Sequence, residues 1–192
     1  MDLLLQRALA FEKITYYKYK YTMARRGKQY IFEIDFRKSD FHHLIGLKKL
    51  IDIEAVDDDR EIVFDRILNG EITHDTLIKS VFYEEISDRF DSFEYFTKLF
   101  DDENTTYKYT QDLRYSQIPA NYLFTNDTYG TLLYVFVKQR NEEEVFACIS
   151  FFPFEKFEYE RGQSKLTMLK VEKTNLKTNE TQVVFQNKNY IE

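Results

Sequence analysis

The chain has 192 residues, 43% hydrophobic and 17% aromatic, no Trp, and a formal net charge of −6. That is enough apolar content to bury a core in one domain, and Gly (5) and Pro (2) are too scarce for long flexible linkers. The single cysteine, Cys148, excludes an internal disulfide and a cysteine metal cluster and suits a reducing, cytoplasmic compartment. The first residues do not read as a secretory signal, and no apolar run is long enough to span a membrane.

Leu3, Leu4, Leu5, Ala8 and Phe11 predict a helix over residues 2–12. From Ile14 to Thr22 the pattern alternates, with Tyr17, Tyr19 and Tyr21 on one face and Lys18 and Lys20 on the other. The run Arg25-Arg26-Gly27-Lys28 reads as a turn, and residues 29–36 as the second strand of a hairpin. Asp40 then stands where a helix N-cap belongs, ahead of Phe41-His42-His43-Leu44-Ile45-Gly46-Leu47, and the helix is expected to run to about Ile53. Asp58 and Glu61 have capping-box spacing for a helix ending at Asn69-Gly70. Leu77, Ile78, Val81, Phe82, Ile86 and Phe90 predict a helix over 74–90, and Asp91 and Glu94 cap an expected shorter one ending near Phe100. After Tyr107 the period changes to short strands around 122–124, 132–137, 145–152, 166–171 and 182–185. The expected order within residues 1–192 is a basic hairpin with the histidine segment (1–56), an acidic helical insert (57–105) and an antiparallel sheet (106–192), an α+β chain.

Charge is unevenly spread. Residues 1–50 hold 11 Lys/Arg against 5 Asp/Glu, residues 51–105 hold 5 against 17, and residues 106–192 hold 11 against 11. An acidic total can therefore conceal a basic groove. The glycine-rich phosphate loop, the His-Glu-x-x-His zinc pair and the Gly-x-Ser-x-Gly elbow are missing, so no metal and no cofactor is expected.

Three groups of residues could carry chemistry. His42 and His43 are adjacent and point about 100° apart on a helix, so only one can serve a given site and the pair is a poor metal ligand. In the first turn of a helix the imidazole is held neutral by the dipole and suits a general base. Ser150 points to the opposite face of its strand from its neighbours. Tyr159, Arg161, Gln163 and Lys165 alternate around Gly162 and, with Lys18, Lys20, Arg25 and Arg26, could line a phosphate-binding groove. His74 reads as a surface or capping residue.

The pattern Phe41-x-His43-Leu44-x-Gly46-Leu47, followed by Ile149-Ser150-Phe151-Phe152-Pro153 and then Tyr159, Gln163, Leu169 and Lys173, resembles a phage-associated family of predicted nucleases. It is the fourth phage family of the barnase–EndoU–colicin E5/D–RelE-like class. The resemblance implies a compact RNase-like (barnase/RelE-like) helix-plus-sheet fold, a phage or prophage setting and a bacterial host cytoplasm. It matches His43, rather than His42, to the family histidine and Ser150 to the serine of the sheet motif, with Tyr159 and Gln163 further on.

Three functional readings follow. In the first, the protein is a metal-independent endoribonuclease. His43 is base or acid, Ser150 and Gln163 bind phosphate, Arg161, Lys165 and the basic hairpin supply charge, and tyrosines such as Tyr159 stack bases of an RNA such as tRNA or guide RNA. In the second, it is a counter-defence binding protein of anti-CRISPR type. Asp57, Asp58, Asp59, Glu61 and Asp65 then mimic nucleic acid toward a host effector such as Cas9. In the third, His43 only packs or caps.

Overall fold

The computed structural model describes residues 1–111, 116–141 and 143–191. Helix α1 (Leu3–Ile14) starts at Asp2, whose carboxylate accepts the Leu5 N–H at 3.0 Å, and buries Leu4, Ala8, Phe11 and Ile14. Strands β1 (Tyr17–Arg25) and β2 (Lys28–Ile34) form the expected antiparallel hairpin. Its two turn residues, Arg26 and Gly27, take φ of 50° and 76°, the left-handed pair that matches strand twist in a two-residue hairpin.

Helix α2 (Lys38–Leu44) carries the histidines, and α3 (Arg60–Leu68), α4 (His74–Leu77) and α5 (Ser87–Phe96) follow, linked by short 3-10 turns. Four expectations are corrected here. Asp40 is not the N-cap of α2. It sits at the third helical position and its carboxylate reaches back to accept the Arg37 N–H at 2.8 Å. The helix ends at Leu44 rather than near Ile53, because Gly46 turns to φ 98°. No helix runs from 74 to 90: the Asp52 carboxylate accepts the Ser80 hydroxyl and, at 2.9 Å, the Val81 N–H, and this capture breaks the chain between α4 and α5. The expected cap of α3 also moves by one residue, since Asp59 accepts the Glu61 and Ile62 N–H groups.

Strands β3 (Thr105–Lys108), β4 (Tyr122–Asn126), β5 (Leu133–Gln139), β6 (Val145–Pro153), β7 (Ser164–Asn175) and β8 (Thr181–Gln186) complete the sheet, in the order β1-β2-β6-β5-β4-β3-β7-β8. β1 pairs with β7 as well as with β2, so seven strands close into a barrel and β8 is added on β7. An open barnase-like sheet is therefore not what forms. The reason lies in β7, whose 12 residues are long enough to pair with β1 along one side and with β3 and then β8 along the other. Nor is the sheet wholly antiparallel, for β2 and β6 run parallel over Glu33–Val145 and Ile34–Phe146.

The larger core lies between the helices and one face of the sheet. Phe11 is its hub, with ring centroids 5.4–6.3 Å from Phe36, Phe41, Phe64, Phe93 and Phe96. Phe93 and Phe96 in turn meet Phe151 of β6 at 5.8 and 5.2 Å. The other face of β4, β5 and β6 buries Leu123, Tyr134, Phe136 and Phe152 in a smaller cluster with Tyr109 and Tyr159. No helix among the described residues is long and apolar enough to cross a membrane.

Candidate active site

The end of α2 sets the site. At Gly46 an added Cβ would stand 2.9 Å from Ile86 Cγ2 and 3.3 Å from Arg89 Cδ, so the glycine is required both by its positive φ and by the close approach of the segment leading into α5. The two histidines diverge as helical geometry demands. His42 turns inward, 7% exposed, with Nε2 2.9 Å from the Val56 carbonyl oxygen, to which it donates, and Nδ1 buried without a partner among the described residues. His43 turns to a cavity of about 760 Å³, together with Lys48, Arg89, Lys138, Ser150, Glu155 and Tyr159.

His43 titrates below the ordinary histidine range. Burial is the main cause, the cations Arg89, Arg60 and Lys48 add to it, and the Ile149 main chain opposes. The neutral imidazole expected from the sequence thus has another origin. His43 lies in the last turn of α2, not the first, where the helix dipole favours the charged form.

Ser150 reaches the same cavity through a bulge. Phe136 pairs with Ser150 and the next residue, Val137, pairs with Cys148, leaving Ile149 as the extra residue of β6. The bulge lets Cys148 stay in the main core while Ile149, Ser150 and Phe152 all line the cavity. The Ser150 side chain makes no hydrogen bond among the described residues, so its hydroxyl is not satisfied by backbone.

The positive charge comes from residues that the sequence did not single out. The Arg89 guanidinium is 5.7 Å from the Phe152 ring, and burial lowers its pKa against the pull of Glu155. Arg89, Lys48, Arg60 and Lys138 form no ion pair among the described residues. A second cavity of about 470 Å³ shares His43, Lys48, Lys138 and Ile149 and extends the surface to Arg37, Arg60 and Arg140. Arg60 and Arg89 belong to the acidic stretch 51–105, whose net negative charge hides them when charge is summed by block.

Arg37 and Arg140 are instead fully engaged. Arg140 bonds Asp35 at 2.6 Å and Asp40 at 2.6 Å, while Arg37 pairs with Glu143. Burial alone would lower the Arg140 pKa, but the bonds to Asp40 and Asp35 carry it upward.

Tyr159 meets Phe136 and Phe152 edge to face at 5.3 and 5.4 Å and lines both the His43 cavity and a neighbouring one. Gln163 lies in that neighbouring cavity, not beside His43. It accepts the Thr110 N–H at 2.8 Å and donates to the Thr110 carbonyl at 3.0 Å, continuing the β3–β7 ladder with its side chain. Arg161 is highly exposed near Gln163, 3.9 Å from Glu158, and Lys165 is exposed on β7. Lys18 pairs with Glu33 at 2.7 Å, Lys20 stands between Glu33 and Glu172 in the strand register, and Arg25 and Arg26 lie at the hairpin tip; all four are outside the His43 cavity.

Of the acidic residues, Asp58 and Asp59 accept backbone N–H groups at the start of α3 and Asp65 pairs with Lys38 at 2.7 Å, while Asp57 and Glu61 are exposed. His74 is structural, 2.7 Å from the Tyr83 hydroxyl and stacked on Phe90. Lys173 holds both oxygens of Asp101 at 2.8 Å, and Tyr19 holds one at 2.9 Å, tying the end of the helical insert to the barrel wall.

No curated protein and no solved structure matches the chain. The model of the phage-Barnase-EndoU-ColicinE5/D-RelE like nuclease4 family, by contrast, covers residues 3–188, and the chain belongs to that family.

Proposed function

We propose that the chain is a metal-independent endoribonuclease that cuts RNA in the His43 cavity, by attack of a ribose 2′-hydroxyl on the adjacent phosphate. The observation that carries this reading is a neutral-leaning imidazole beside Arg89, Lys48, Arg60 and Lys138, none of them neutralised by an ion pair among the described residues. Membership of a nuclease-like family supports a nucleic-acid substrate.

His43 takes the proton from the 2′-hydroxyl as the 2′-oxygen–phosphorus bond forms. Arg89, Lys48 and Lys138 hold the phosphate and the extra charge of the phosphorane, and the Ser150 hydroxyl donates a further hydrogen bond to it. The phenol of Tyr159, like any tyrosine, carries its proton at neutral pH, and burial, then Glu155 and Tyr109, raise its pKa further. It hands that proton to the 5′-oxygen as the phosphorus–oxygen bond breaks, which leaves a 2′,3′-cyclic phosphate. Gln163, with both ends of its amide bound to Thr110, acts by holding the chain beside Tyr159. Lys18, Lys20, Arg25 and Arg26 contribute only long-range attraction for a longer RNA.

The test is cleavage of tRNA, a structured guide RNA and a single strand in EDTA by wild type and His43→Ala. Wild type cuts to cyclic-phosphate ends, and the variant loses roughly 10²–10⁴-fold in rate while keeping its circular dichroism and melting curve. Equal cutting by both proteins, or none by wild type, overturns the reading.

A further inference from the structure

A cavity of about 920 Å³ adjoins the His43 site, and apart from Tyr159 and Gln163 on its wall it takes no part in the chemistry above. Tyr159 lines both spaces, so a strand bound at the first has a continuous path into the second. Two further rings line it: Tyr109, buried at 6% exposure, and Phe157, left 49% exposed and 6.3 Å from Tyr159 at an interplanar angle of 67°. The rim is polar, with Arg161 at the mouth and Thr110 held in place by Gln163.

This combination selects a class of ligand. The half-exposed Phe157 phenyl offers one flat apolar face, Tyr109 and Tyr159 line the space beside it, and the Arg161 guanidinium stands within the same space. An unstacked nucleobase has two flat faces and a polar edge, and single-stranded RNA is recognised by aromatic and guanidinium stacking of that kind. A duplex keeps its bases stacked on one another and cannot use such a site. The volume falls within the roughly 300–1,000 Å³ of small-ligand sites. Resting on the ribonuclease reading, we propose that this cavity binds the base of a nucleotide flanking the scissile phosphate, with Phe157 as its stacking platform. The enzyme is then a single-strand reader.

Binding is measured with a short single-stranded RNA carrying 2′-O-methyl riboses, which cannot undergo 2′-hydroxyl attack. The series has one base removed at each position in turn, and wild type is compared with Phe157→Ala and Phe157→Tyr. The expected result is a loss of about ten-fold in affinity for Phe157→Ala, restored by Phe157→Tyr. Removing one particular base is expected to cost wild type the same factor and to cost Phe157→Ala nothing more. Unchanged affinity of Phe157→Ala, or equal losses in both proteins at every abasic position, overturns the proposal. So does equal binding of the matching duplex. The probe is not cut, so a protein that fails to cleave RNA but shows the Phe157 pattern loses the catalytic reading and keeps this one.

Discussion

Two groups of cations border the same surface and behave in opposite ways. Arg37 and Arg140 are locked to Asp35, Asp40 and Glu143, whereas Arg89, Lys48 and Lys138 line the His43 cavity, and Arg60 the adjoining one, without an ion-pair partner among the described residues. The first group spends its charge on the fold, joining α2 to the strands beneath it. The second leaves its charge to be answered by something outside the protein. Such an arrangement costs folding stability through mutual repulsion and desolvation, and a polyanion recovers it on binding.

Exchanging the two roles is the sharpest way to break the comparison. Arg89→Met keeps an apolar stem beside Gly46 and removes the charged group over Phe152, and it is expected to lower kcat/KM on RNA by roughly 10²-fold with little change in melting temperature. A variant that cuts as well as wild type removes Arg89 from the site. Arg140→Ala should do the reverse. It strands two carboxylates that are 20% and 14% exposed, and urea titration should show a loss of about 2–3 kcal/mol. Wild-type stability in that variant dissolves the distinction.

Acid provides a third probe, and its sign follows from the two histidines. Burial lowers the pKa of both His42 and His43, so the unfolded chain binds protons before the folded one does. Their contribution to stability is complete above the unfolded value of about 6.5 and is lost as pH falls through it toward the folded values. Melting temperature should therefore drop between pH 7 and pH 5, and less steeply in His43→Gln; an identical slope contradicts the burial of His43. The smallest effect concerns salt. For single-stranded RNA the slope of log affinity against log salt should become shallower by about 0.7 in Lys48→Ala and stay unchanged in Lys18→Ala, whose partner is Glu33.

How much of this was legible depended on the range of the interaction involved. The hairpin and its Arg26-Gly27 turn were readable because alternation and turn geometry are local, and Asn69-Gly70 marked the end of α3 for the same reason. The break after Leu77 was not, since the spacing of Leu77, Ile78, Val81 and Ile86 is helical and only a distant carboxylate, Asp52, undoes it. Barrel closure depends on pairing between β1 and β7, some 150 residues apart, and has no local signature. His43, Ser150 and Tyr159, named as candidates from the sequence, share a cavity, whereas Gln163 lies beyond it and Arg89 was concealed within a stretch of opposite charge.

The parallel seam between β2 and β6 has a consequence for motion. It joins the wall through only two residue pairs, against seven between β1 and β2. The free energy of a local opening follows what must be broken, so the ring breathes first at this seam, with Arg37, Arg140 and Glu143 as its clasp. The amides of Asp35 and Phe146 should accordingly exchange with deuterium ahead of their neighbours in β1, β5 and β7. Because β6 carries Ser150 and its bulge, the same breathing would loosen the wall that faces His43, where the proposed RNA strand is to enter.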